Sequence, residues 1–316
     1  PASRQVVVLE TPEADLALDP AGGSIAAFCL KDAPTNALGW DSAVHDGKVK
    51  KDSASALSMS AMLPMAGLHV ARRVRLLQAS LSAAAEPSSR KAALALVEDQ
   101  VANQNRLGRM YNMVQHPSIA APFLTHDTRV DCNGQRGFTQ CAKEAVATLP
   151  WMAPCCFPEA RTSEVKDARS MTGGPDDVFS YEVDPTSSYG WVTAYTPKEQ
   201  LLVGYVWPRA HYPWVSLWCC SAPDGLPRAR GLEFGTTGLH QPFPILAQHP
   251  RIFGLPTFEY LDAGEERLRT FCSFLLQIPS DFSGVKSIKV SEGSIHVLEK
   301  NGRSHGIHAP HSIFES

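Results

Sequence analysis

The chain has 316 residues, a hydrophobic fraction of 44%, a charged fraction of 19% and a formal net charge of -3. That length carries one large all-β domain or two ordinary ones, and that composition can bury a sizeable core. The near-neutral balance leaves no basic footprint for nucleic acid, and no apolar run reaches the roughly 18 residues of a membrane-spanning helix.

The opening PASRQVVVLE does not read as a signal peptide, and its VVVLE (6 to 10) predicts a first strand. GGSIAAFCL (22 to 30) reads as a turn followed by a strand. HVARRVRLLQASLSA (69 to 83) begins in near-alternation, AAEPSSRKA (84 to 92) reads as a turn, and ALALVEDQVA (93 to 102) fits either an extended run or a short helix. Residues 154 to 177 read as an irregular excursion, within which SEVKDARSM offers one short helix. Strands are then predicted at 178 to 184, 190 to 196, 201 to 207, 214 to 220, 271 to 278, 285 to 292 and 294 to 300. These runs are rich in Val, Ile, Phe, Tyr and Trp, with Gly, Pro, Asn and Asp between them. Regular helical segments between strands are missing, which argues against a doubly wound α/β fold. With no internal repeat and no break in composition, the reading is all-β: a large β-sandwich forming one domain over 1 to 316.

Eight cysteines include the neighbours Cys155-Cys156 and Cys219-Cys220, and none forms spaced CxxC pairs. Neighbouring cysteines bond poorly to each other, so free thiols and a reducing, cytoplasmic compartment are expected.

The sequence lacks GxGxxG, a Walker loop, HExxH and GxSxG. HGIHAPH (305 to 311) reads as a solvated tail or an adventitious metal binder. In the stretch 105 to 138, Arg106, Arg109, Asn112, Gln115 and His116 precede the loop HPSIAAPF. Such a set can bond several hydroxyls while His116 exchanges a proton near neutrality. His126 is a weaker candidate, and Asp127 and Asp131 are read as organisers of the loop or its arginines. GYVWPRAHYPWVSLWCC (204 to 220) adds Trp207, Arg209, His211, Tyr212, Trp214 and Trp218. Aromatic faces suit the C–H faces of sugars and Arg or His suits hydroxyls, although at least one tryptophan is expected in the core. In GLEFG (231 to 235), alternation sends Leu232 and Phe234 to one face and Glu233 to the other, with glycines leaving space around the carboxylate. Glu233 is the candidate base.

Four segments in order, GGSIAAFCLKDAPTNALGW (22 to 40), AGLHVARR (66 to 73), YNMVQHPSIAAPFL (111 to 124) and GLEFGTTGLHQPF (231 to 243), together resemble the galactose mutarotase-like superfamily, which includes the aldose 1-epimerases. The chain is similar to a divergent branch of it. The resemblance implies a β-supersandwich with a broad open cleft, a sugar or glycoside ligand, and anomer interconversion without metal or organic cofactor. It implies Glu233 as base and His116 as acid, facing one cleft about a sugar ring apart. His69 would line that cleft, and Asp224 is available by order for a substrate-binding aspartate. The chain departs from the family at Gln115-His116-Pro117-Ser118, where Asn-His-Ser/Thr-Tyr is usual, and at Val70-Ala71, where a glycine pair follows the histidine. Two further readings follow from these departures: a non-catalytic carbohydrate-binding protein, and a lyase or glycoside-processing enzyme on the same scaffold.

Overall fold

A computed structural model describes residues 6–20, 23–31, 35–38, 48–82, 90–140, 154–161, 165–170, 177–221, 227–291, 293–310 and 312–314. Three of its sheets stack as layers. The middle sheet has eight strands, running in space from Arg129–Cys132 through Tyr189–Thr196, Leu201–Pro208, Glu266–Gln277, Ala92–Asn103, Leu68–Leu77 and Ala56–Leu63 to Lys48–Ser53. On one side lies a seven-stranded sheet containing Gly134–Gln140, Asp177–Val183, Trp214–Ser221 and Pro227–Gly235. On the other lies a four-stranded sheet of Val285–Ser291, Ser294–Glu299, Ser304–His308 and Ser80–Leu81.

Alternation along the middle strands supplies both interfaces. Val203, Tyr205 and Trp207 join Phe179, Tyr181, Val215, Leu217, Leu232 and Phe234 in the larger core. Leu202 and Val206, one residue out of phase, join Phe274, Ile295, Val297 and Ile307 in the second. Burial on both faces is why LLVGYVW reads as a continuous apolar run rather than an alternating one.

The ambiguous 93-to-102 run is extended, within Ala92–Asn103. The helix expected in SEVKDARSM is corrected: its described part contains the strand Val165–Asp167, paired with Glu159–Arg161. Among the described residues the α-helix is Phe243–Gln248, with a proline in its first turn. HGIHAPH also needs correction, because Ser304–His308 is a strand and His305 is buried, its Nε2 2.7 Å from Glu299 Oε1. Most of the 84-to-92 turn lies outside the described residues. Among the described residues, Cys29, Cys132, Cys155, Cys156, Cys219 and Cys272 are free thiols.

Candidate active site

Glu233 sits on the strand Pro227–Gly235, whose partners run along both edges. Gln115 lies opposite Phe234 and Ser118 opposite Gly231, so the shared register sets His116 directly across from Glu233. Directly opposed residues on adjacent strands point the same way and lie within side-chain reach. His116 Nε2 is 3.1 Å from Glu233 Oε1. The expected separation of a sugar ring is therefore replaced by contact.

The alternation read from GLEFG is present: Leu232 and Phe234 face the core between the sheets. Glu233 faces outward with Ser216 and Ser180, its neighbours across the sheet. Its side chain is nonetheless only 2% exposed, whereas His116 is 45% exposed. The imidazole thus lids the carboxylate. Gly231 makes room for both, since a Cβ there would lie 3.0 Å from Glu233 Oε1 and 3.3 Å from His116 Cε1. Gly235 serves another purpose: its missing Cβ would press on Val114, so it admits the neighbouring strand rather than a ligand.

Two further groups fix the imidazole. Ser118 Oγ lies 3.2 Å from His116 Nδ1, and the Trp218 ring lies 5.6 Å from the His116 ring, tilted at 59°. Burial acts to lower the His116 pKa, but the hydrogen bond and charge of Glu233 outweigh it and hold the value above the ordinary one.

A second histidine approaches the other carboxylate oxygen. His240 Nδ1 lies 3.8 Å from Glu233 Oε2, with the side chain 29% exposed. Burial pushes its pKa down; the Glu233 charge opposes this and a charged His116 adds to it. Its backbone N–H donates to Gln140 Oε1 at 2.8 Å, while Gln140 Nε2 donates to Ser180 Oγ and to the Gly238 carbonyl, each at 2.8 Å. Gly238 lies against the Trp214 ring so closely that a Cβ would collide with it. Trp214 is fully buried beside Phe138 and Phe253, so the ring has no room to yield. Gly238→Ala is expected to cost roughly 1–3 kcal/mol and to displace His240. A thermal melt and the His240 ring resonances check both effects.

The other candidates fall elsewhere. Trp207 requires correction: it is fully buried, stacked on Phe234 with centroids 4.1 Å apart, and donates from Nε1 to the Tyr212 carbonyl, so it is core and not a cleft wall. Gln115 shares the inward face of Phe234 and is buried in a network behind the dyad, bonded to Arg72, Asp99 and Tyr212. His69 has the opposite parity to Arg72 and to the core residues Val74 and Leu76, which turns it away from the seven-stranded sheet. Arg109 is exposed on Arg109–Tyr111, 3.4 Å from Asn105. Arg209 and His211 occupy the turn before Trp214; Arg209 donates to the Val183 carbonyl, and His211 Nδ1 accepts from the Thr270 N–H. His126 and Asp127 are exposed, and Asp131 pairs with Lys300 rather than with an arginine of the loop. Asp224 lies outside the described residues.

His240 and Ser118 were missed from sequence. Among the described residues, no group of three or more His, Cys, Asp or Glu is placed to hold a metal ion.

No family model matches the chain, and no curated protein matches it by sequence. Solved structures do share its fold. A galactose mutarotase related enzyme from Lactobacillus acidophilus superposes with TM-score 0.59 at 13% identity, over 88% of this chain and 99% of that one. A galactose mutarotase-like protein from Lactobacillus casei gives 0.58 at 10% identity, over 86% and 100%. A putative aldose 1-epimerase from Escherichia coli K12 gives 0.57 at 11% identity, over 86% and 98%. At such identity the likeness establishes the fold: a β-sandwich of the mutarotase-like kind.

Proposed function

We propose that this protein is a carbohydrate-active isomerase of the aldose 1-epimerase type, interconverting sugar anomers by acid–base ring opening. The reading rests on one observation, the contact between a buried carboxylate and a half-exposed imidazole on the outer face of a sheet. The reacting oxygens of a cyclic sugar, the anomeric hydroxyl and the ring oxygen, are bonded to the same carbon. A base and an acid in contact therefore suit them better than groups a ring's width apart.

The sugar replaces the direct His116–Glu233 contact with two hydrogen bonds of its own. Glu233 takes the anomeric hydroxyl proton while His116 delivers its Nε2 proton to the ring oxygen. The carbon–ring oxygen bond breaks and the anomeric carbon becomes a carbonyl. Rotation about the adjoining C–C bond presents its other face. His116 then recovers its proton from the ring hydroxyl, and Glu233 returns one to the carbonyl oxygen as the ring closes. The Glu233 charge favours a proton on His116, as an acid requires. Trp218 offers an apolar wall beside the pair.

Exchange-NMR of α and β anomers over a panel of reducing sugars tests the proposal. The expected result is exchange well above the buffer rate for at least one sugar; buffer-rate exchange throughout overturns it. The near-complete burial of Glu233 favours a second reading, a carbohydrate-binding protein that no longer turns its ligand over. Saturable binding of a sugar whose anomers exchange at the buffer rate would select that one.

A further inference from the structure

We infer that His240 is a third functional group of this site, donating from Nδ1 to the anomeric oxygen while Glu233 Oε2 withdraws that oxygen's proton. The inference rests on the anomerase reading above. Its basis is the order of groups along one carboxylate: His116 at Oε1 and His240 at Oε2. The two contacts differ in kind. At 3.1 Å the first pair lies within hydrogen-bond distance, whereas 3.8 Å lies beyond it.

Two polar atoms 3.8 Å apart can share a third. An oxygen about 2.8 Å from each has ordinary hydrogen-bond geometry. A hydroxyl there donates to Oε2 and accepts from Nδ1–H. With the ring oxygen served by His116, the hydroxyl on the same carbon falls toward His240. As its proton moves to Glu233, negative charge grows on an oxygen that already has a fixed donor, and such charge is stabilised most by donors in place before the reaction. The bonds balance without a further reactant: His240 lends its N–H and keeps its proton throughout.

The surroundings support that role. Gln140 and the Gly238–Trp214 contact anchor the backbone around His240, leaving the ring to face the carboxylate and solvent. Burial and His116 both disfavour a charged His240. A neutral imidazole donates a hydrogen bond without handing Glu233 a proton in place of the sugar's.

The test compares His240→Ala with His240→Asn, whose amide nitrogen reaches about as far as Nδ1. His240→Ala should lower kcat roughly 100-fold with KM changed much less, and His240→Asn should restore most of the loss. Both variants should melt with wild type, because the loop is held through its backbone and through Gln140. Unchanged kcat in His240→Ala, or a rise in KM alone, overturns the inference. If Glu233→Gln abolishes exchange while His240→Ala does not, the anomerase reading survives and the role of His240 fails. If wild type turns over no sugar, the anomerase reading fails and the donor role falls with it. The ¹⁵N shifts of the His240 ring then report a contact separately: movement on sugar addition supports His240 as a ligand-touching residue, and no movement with any sugar removes that as well.

Discussion

Glu233→Gln is expected to slow anomer exchange by about 10²–10⁴-fold, the range set by loss of a positioned proton-transfer group. Glutamine keeps the shape and a hydrogen-bonding oxygen but cannot accept the sugar's proton. The fold should persist, since Leu232 and Phe234 on either side still fill the core. The same variant should move His116. Its pKa lies above the ordinary histidine value because Glu233 outweighs burial; without the carboxylate, burial acts unopposed and the value falls. An NMR titration of the His116 ring reads this independently of turnover. The raised pKa also has a signature in stability. The pair's contribution is fully present below the unfolded histidine pKa of about 6.5 and fades as pH rises through the higher folded value. Melts of wild type and Glu233→Gln should differ more at mildly acidic pH than at alkaline pH, by a small margin because His116 is nearly half exposed. An unaltered exchange rate in Glu233→Gln would remove Glu233 from the mechanism.

Asp99→Ala is expected to be the most damaging change to stability, costing about 3–5 kcal/mol. Asp99 is fully buried and grips Arg72 through two bonds, Nε to Oδ1 at 2.6 Å and Nη2 to Oδ2 at 2.7 Å, while Gln115 Nε2 donates to the same Oδ2 at 2.8 Å. Alanine leaves the guanidinium without its counter-charge and strips an acceptor from Gln115. Denaturant titration should show a large fall in midpoint. Gln115 immediately precedes His116, so loosening this network should also blur the His116–Glu233 contact. A shift below about 1 kcal/mol would mean that Arg72 finds solvent and that the network is not structural.

Most of the β architecture was legible because β-branched and aromatic runs punctuated by Gly and Pro need only local chemistry to be read. The outward aim of Glu233 was legible for the same reason: parity within GLEFG decides it. Parity alone could not say that His69 turns away from the site, because Arg72, a charged residue, occupies the core-facing phase of that strand through its pairing with Asp99. Nor could sequence separate Trp207 from Trp218, since both are strand aromatics and only the packed sheets assign one to Phe234 and the other to His116. SEVKDARSM has good helix formers, yet pairing with Glu159–Arg161 overrides them. Composition misread HGIHAPH because the burial of His305 depends on Glu299 from the adjacent strand. The His116–Glu233 contact is a matter of cross-strand register, which two distant strands fix together and neither contains alone.

That register governs when the site can exist during folding. The segment carrying His116, between the strands Val114–Gln115 and Ser118–Ala120, is tied to the strand of Glu233 and its continuation by bonds such as Met113 N–H to Thr236 Oγ1, 123 positions apart in the chain. Closing so long a loop is slow relative to forming neighbouring hairpins. The strands Asp177–Val183 and Trp214–Ser221 come from the intervening chain and extend the same sheet. A refolding chain can therefore collapse and gain much of its sheet content before His116 meets Glu233, so this contact marks arrival at the native state rather than mere compaction.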